Sequence, residues 1–132
     1  MRYALLIVLG LVIGILGTVM VVRAMNSGPD YTHSAMTMID FHMDGMDKAI
    51  KENRCTVNDT LPHLQTMRAL SSDIEPIFPD LNTDAQFRQK ASNLRASLDA
   101  AIAAPPTSCP AVGAVIAKIG QDCKACHSQY RH

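Results

Sequence analysis

The chain has no excess of charge of either sign: 12 lysines and arginines face 12 aspartates and glutamates. The basic patch or stripe that marks a nucleic-acid binder is missing. There is no strand-like alternation, no internal repeat and no low-complexity tract, which excludes most β and solenoid architectures. Paired carboxylates, a nucleophile beside a base, and a Gly-rich phosphate loop are also missing. A hydrolase or transferase has nothing to work with here, and the expectation is a protein that is not an enzyme.

What is present begins with an apolar run. From Ala4 to Val22 there are 19 residues without a charge, close to the length that crosses a bilayer as a helix. A secretory signal has a shorter apolar region, about 7–15 residues, and a small-residue cleavage site. Here the only tolerable cleavage pattern, Val22-Arg23-Ala24, contains an arginine. The preferred reading is a retained anchor over residues 1–24, with cleaved signal as the alternative. Gly10 and Gly14 form a GxxxG pair that lets helices approach closely, a pattern common by chance. Arg2 and Arg23 flank the run on both sides, so charge does not orient it. Either way, the domain over residues 25–132 is exported, to the periplasmic side of the inner membrane that residues 4–22 would cross.

After a breaker-rich linker, Ala24 to Asp30, four stretches carry helical periodicity. The first, about Asp30 to Arg54, has Met36, Ile39, Met43, Met46 and Ile50 on one stripe. The second, about Asn58 to Ile77, carries Leu64, Met67, Leu70, Ile74 and Ile77. The third starts at an N-cap cluster, Asn82-Thr83-Asp84, and carries Phe87, Ala91, Leu94, Leu98 and Ala101. The fourth, about Pro110 to Tyr130, aligns Val112, Ile116, Ile119, Cys123, Cys126 and Tyr130. Four amphipathic helices with short connections predict an all-α, up-down-up-down four-helix bundle behind one N-terminal apolar helix.

The fourth stripe runs into Cys123-Lys-Ala-Cys126-His127. A structural zinc site needs about four protein ligands, and no second CxxC or HxxxH pair exists. A thioredoxin-like dithiol expects strands, of which there is no sign. C-x-x-C-H is the haem-attachment pattern: two thiols join the haem's vinyl groups and the adjacent histidine binds iron. One covalent haem c is therefore expected at the end of helix four.

With the ending C-x-x-C-H-x-x-Y-R, at Cys123, Cys126, His127, Tyr130 and Arg131, the chain resembles the class II cytochromes c, the cytochrome c-prime family. The resemblance runs from about Pro29 to His132 and includes Tyr31 to Met38, similar to the family's first-helix segment. It implies that Arg131 packs near the proximal His127, that Tyr130 belongs to the haem environment, and that Met36 occupies the distal position. Many relatives have an arginine four residues before the distal position, against a haem propionate; Thr32 stands there in this chain.

Topology agrees. In such a bundle the end of helix four lies beside the start of helix one, where Met36 is about two turns in. The connections holding Cys55 and Cys109 share the opposite end, so a disulfide between them is expected. It would close a loop of about 55 residues and contribute about 4 kcal/mol in the chain-entropy picture.

The distal identity decides the chemistry. With Met36 as sixth ligand the protein is a low-spin electron carrier, tethered to the membrane and serving redox partner proteins; this is the preferred expectation. With Met36 as apolar cover the iron is open to NO or CO. A fixed haem subunit of a membrane complex is a third reading. Met38 and His33 lie off the core stripe and are weaker ligand candidates. His42, His63 and His132 are expected on the surface. Asp40, Asp44 and Asp47 form a solvated face that could dock a basic partner. Homodimerisation is possible through a helix face that the sequence does not identify.

Overall fold

The structure, a computed structural model, describes residues 2–26 and 30–131. Within them six helices form and no strand. The chain divides into two compact units, Met1–Asp30 and Tyr31–His132. The first unit is the helix α1, Arg2–Asn26. Its span Leu6–Arg23, 18 residues of mean hydropathy 2.5, is long and apolar enough to cross a membrane. Ala24, Met25 and Asn26 are helical, so the expected linker is shorter than the sequence implied; the breakers Ser27, Gly28 and Pro29 lie outside the described residues. Space around Gly10 and Gly14 is open.

The second unit is a bundle of α2 (Tyr31–Lys51), α3 (Val57–Leu70), α5 (Ala85–Ala103) and α6 (Cys109–Tyr130), with the single-turn helix α4 (Ile74–Ile77) between α3 and α5. α2 packs on α3 and α6, and α5 packs on the same two, which closes a ring of four neighbours. The predicted stripes are its inside. Ile39, Met46, Leu64, Met67, Ile74, Val112 and Ile119 are buried, as are all five positions of the third stripe. Met36, Met43, Ile50, Ile116, Cys123, Cys126 and Tyr130 are half-buried against that core. Each fully buried large side chain contributes about 1.5–3 kcal/mol.

Local chemistry sets the helix ends. α2 stops at Asn53, whose φ of 55° is left-handed backbone. The Arg54 N–H then reaches the Ala49 carbonyl at 2.8 Å, and Asn53 N–H the Ile50 carbonyl at 3.0 Å. This pair of bonds is a Schellman motif, with asparagine where glycine is usual. α3 opens on a capping box: the Asp59 carboxylate accepts from the Thr56 N–H at 3.0 Å and the Thr56 hydroxyl at 2.5 Å.

The second predicted helix, Asn58 to Ile77, is not continuous. Ser72 and Asp73 switch to bonds three residues back, on Ala69 and Leu70. The Arg95 guanidinium draws the Ser71 carbonyl at 3.1 Å, and the Ser71 hydroxyl donates to the Arg68 carbonyl at 2.7 Å. Hydrogen bonds from outside the ladder thus end α3 before Pro76 and Pro79 are reached. At the far end of the bundle the Cys55 and Cys109 sulfurs are 2.00 Å apart, joined as a disulfide.

Candidate functional site

α6 begins on Ser108, whose Oγ accepts the Ala111 N–H at 3.4 Å, with a proline in its first turn. From there it runs unbroken to Tyr130. At about 100° per residue, Cys123, Cys126 and His127 share an arc about 100° wide on one face. The two thiols are half-buried and unpaired, while His127 is exposed one turn beyond Cys123. Neighbouring charges locate the thiols further. Cys123 feels the carboxylates of Asp122 and, from α2, Asp40; Cys126 feels Lys90 of α5. The pair therefore straddles the line where α6 meets both neighbours.

Burial, the largest cause, pushes both thiols above their usual range, and Asp122 reinforces this at Cys123. At neutral pH both are protonated, hence slow to oxidise or to exchange with a disulfide.

The end of α6 is tied to α5. The Tyr130 hydroxyl donates to Asp84 Oδ2 at 2.9 Å, while Asp84 Oδ1 caps α5 by accepting from Gln86 N–H at 2.7 Å and Phe87 N–H at 3.3 Å. The Tyr130 hydroxyl first, and those amides next, hold the Asp84 carboxyl below its usual range. Phe87 meets Tyr130 edge-on at 5.2 Å and Phe78 at 5.7 Å, the geometry that aromatic pairs prefer.

Asp84, Phe78 and Phe87 were not singled out for this role from the sequence. The sequence offered Asp84 as an N-cap and Phe87 on the third stripe; the convergence of Phe78, Phe87 and Tyr130 appears only in the fold. Met36 is half-buried on α2 and packs on the same core as the two cysteines. Arg131 is exposed, its extended backbone ending α6. His33 and Met38 are exposed, off the core stripe as expected. So are Asp40, Asp44 and Asp47.

Two of the histidines expected on the open surface are elsewhere. His42 and His63 are half-buried and hydrogen-bonded, Nδ1 to Nδ1, at 2.9 Å. The cause is packing: α2 and α3 adjoin there, and Gly45 leaves room for the His63 ring. His132 lies outside the described residues. A hollow of about 480 Å³ is lined mostly by charged side chains, Arg68, Glu75, Arg88 and Arg95, with Ser72 and Pro76. Its arginines are engaged with Asp99, Glu75 and the Asn82 carbonyl, so it offers no apolar seat for a porphyrin.

The donor set suits haem: two neutral thiols on the core side of one helix, an accessible imidazole one turn on, and a thioether-bearing helix packed alongside. Among the described residues no cluster of three or more His, Cys, Asp or Glu could hold a bare metal ion.

Comparison with known proteins agrees with this geometry. No curated protein matches the chain. The crystal structure of cytochrome c′ from Rubrivivax gelatinosus is similar in fold, with a TM-score of 0.62 and 20% identity, covering 77% of this chain and 92% of that one. The Cytochrome C' family matches residues 29–131. That match takes in the whole bundle and its C-x-x-C-H ending, and the chain belongs to the cytochrome c′ family.

Proposed function

We propose that the chain is a periplasmic c-type haem protein that captures a small diatomic gas, NO or CO, on the distal face beneath α2. The observation that carries this reading is the C-x-x-C-H ending on the fourth helix of a bundle matched throughout by the cytochrome c′ family. Cys123 and Cys126 would hold the haem through thioether bonds, and His127 would supply the proximal ligand. The group would bring an iron centre that takes a neutral diatomic ligand reversibly. The chain's own share is positional. α6 presents the attachment residues along one arc, α2 packs on α6 and would cover the haem with the half-buried Met36, and the Asp84–Tyr130 bond holds the end of α6 against α5. An apolar cover from α2 would keep water away from the haem and admit an uncharged gas.

A second reading is supported by Met36 itself, a thioether on the core side of a helix packed against α6. If its sulfur binds iron, the protein is an electron carrier, and exposed Asp40, Asp44 and Asp47 are the natural docking face for a basic partner. The deciding experiment is the optical spectrum of the ferrous holoprotein with and without CO. The gas-binding reading expects a five-coordinate spectrum and a rapid, stoichiometric CO adduct. A six-coordinate spectrum indifferent to CO would put electron transfer first. In both readings acid–acetone extraction leaves the haem on the polypeptide.

Export follows in this proposal from the covalent haem and from α1, which acts as signal or as anchor. Residues 1–24 and 25–132 are then the targeting segment and the haem domain. Sizing the mature protein with and without detergent separates signal from anchor, and sizing it over a concentration series reports whether it pairs.

A further inference from the structure

Away from the cysteine pair, two imidazoles on different helices meet head to head. His42 of α2 and His63 of α3 are hydrogen-bonded, Nδ1 to Nδ1, at 2.9 Å, with ring centroids 5.2 Å apart. The backbone makes room for this bond. Gly45 stands inside α2, although glycine is a poor helix former. A Cβ there would lie 2.5 Å from His63 Cε1 and 3.0 Å from His63 Nδ1. A side chain at that position would push the His63 ring away from His42.

We propose that the His42–His63 pair is an acid-sensitive latch between α2 and α3, closed when it carries no added proton or one, and open with two. Proton counting gives the reason. In the neutral pair one Nδ1–H donates and the other Nδ1 accepts. The donor ring keeps a lone pair on Nε2, away from the bond, and the first proton goes there. The bond survives and becomes charge-assisted. Only the accepting Nδ1 is left for the second proton. Taking it abolishes the acceptor and sets two N–H groups and two cations against each other.

Nothing nearby offsets a second positive charge. Burial first, and then His42, holds His63 below its usual range, and among the described residues no carboxylate acts on it. The charged groups of the packed elements are turned elsewhere. On α2, Lys48 pairs with Glu52, Asp44 and Asp47 are exposed, and the charge of Asp40 reaches Cys123. On α3, Asp59 accepts from Thr56, and Arg68 reaches Asp99 of α5. Glu75 of α4 is held by Arg95.

Linkage fixes the direction. In the unfolded chain both histidines take up protons at about 6.5. The folded pair refuses the second until a lower pH. The latch is therefore intact above about 6.5 and lost as pH falls through that lower value. α2 also carries Met36, so an open latch loosens the helix that the proposed function places over the haem. The latch itself does not depend on that reading.

The test follows histidine ring resonances and urea unfolding of the holoprotein from pH 8 to pH 4. The two rings should titrate as a coupled pair, in steps separated by more than about one pH unit. His42→Asn is the discriminating variant. Its amide can donate to His63 Nδ1 or accept from it, so the bond persists, yet it takes up no proton. At pH 8 the variant should be as stable as the wild type. Below about pH 6.5 the wild-type folding constant should fall more steeply than the variant's, by up to about tenfold per pH unit. Over the same range amide exchange, corrected for its intrinsic pH dependence, should quicken along α2 and α3 in the wild type and not in His42→Asn. Independent titration of both rings at their ordinary values would overturn the proposal. So would equal steepness in the two proteins, which would make His63 an ordinary buried histidine, or unchanged exchange along α2 and α3 once both protons are bound. Should His42→Asn fail to fold, the wild-type titration and exchange decide alone.

Discussion

Met36 lies half-buried on α2, one stripe position before the buried Ile39, and a single substitution separates its two roles. With the distal face open, Met36→Ala should leave the ferric haem high-spin and speed CO association by unblocking the face. With Met36 on iron, the same change should turn a low-spin protein high-spin. Met38→Ala, at an exposed position, should alter neither. Stopped-flow CO binding alongside the ferric optical spectrum reads both outcomes. Cys123 and Cys126 give a sharper test: replacing both by serine should let acid–acetone remove the haem while the bundle still folds. At this scale the sequence was informative wherever a residue's chemistry is rare. C-x-x-C-H points to haem attachment by residue type and spacing alone. The histidines were misread because nothing local shows that positions 42 and 63, on separate helices, come within hydrogen-bonding distance.

The ends and joints of the helices carry predictions of their own. Asn53 holds a φ of 55° in the Schellman motif that stops α2. Asn53→Gly should be neutral or slightly stabilising there. Asn53→Val should cost about 1–2 kcal/mol, because a β-branched side chain collides with the backbone in that conformation; chemical denaturation measures it. Glu75 joins α4 to α5 through two bonds from Arg95, at 2.7 and 2.6 Å. Those bonds hold the Glu75 carboxyl below its usual range. The sign follows by linkage: the contribution is complete above the unfolded carboxyl's value of about 4.3 and fades as pH falls through the lower folded value. Urea midpoints between pH 7 and pH 3 should therefore fall more steeply for the wild type than for Glu75→Gln. Helix existence and core faces were legible because period and burial coincide along each stripe. The break at Ser71 was not, because its cause is Arg95, 24 positions away.

Taken whole, the bundle is closed at one end by the Cys55–Cys109 bond and carries Cys123 and Cys126 at the other. Reducing the disulfide frees a loop of 54 positions, which on the chain-entropy model removes about 4 kcal/mol. A Cys55→Ser, Cys109→Ser protein should melt well below the wild type, at about 4–8 °C per kcal/mol lost for a domain of this size. Its haem should stay attached. The topology was legible because four stripes and three short connections allow few arrangements. The separation of the cysteines into two pairs has a further consequence, for the order of events in biogenesis. In an emerging chain the disulfide partners appear consecutively, Cys55 and then Cys109, before either haem thiol does. An oxidant that joins cysteines as they arrive makes the native bond at the first attempt, with no isomerase needed. The later pair arrives when that bond can already be made, and once the bundle folds, burial raises both thiols and makes them poor attackers of a finished disulfide. Chain order and then burial thus keep two incompatible cysteine chemistries from interfering.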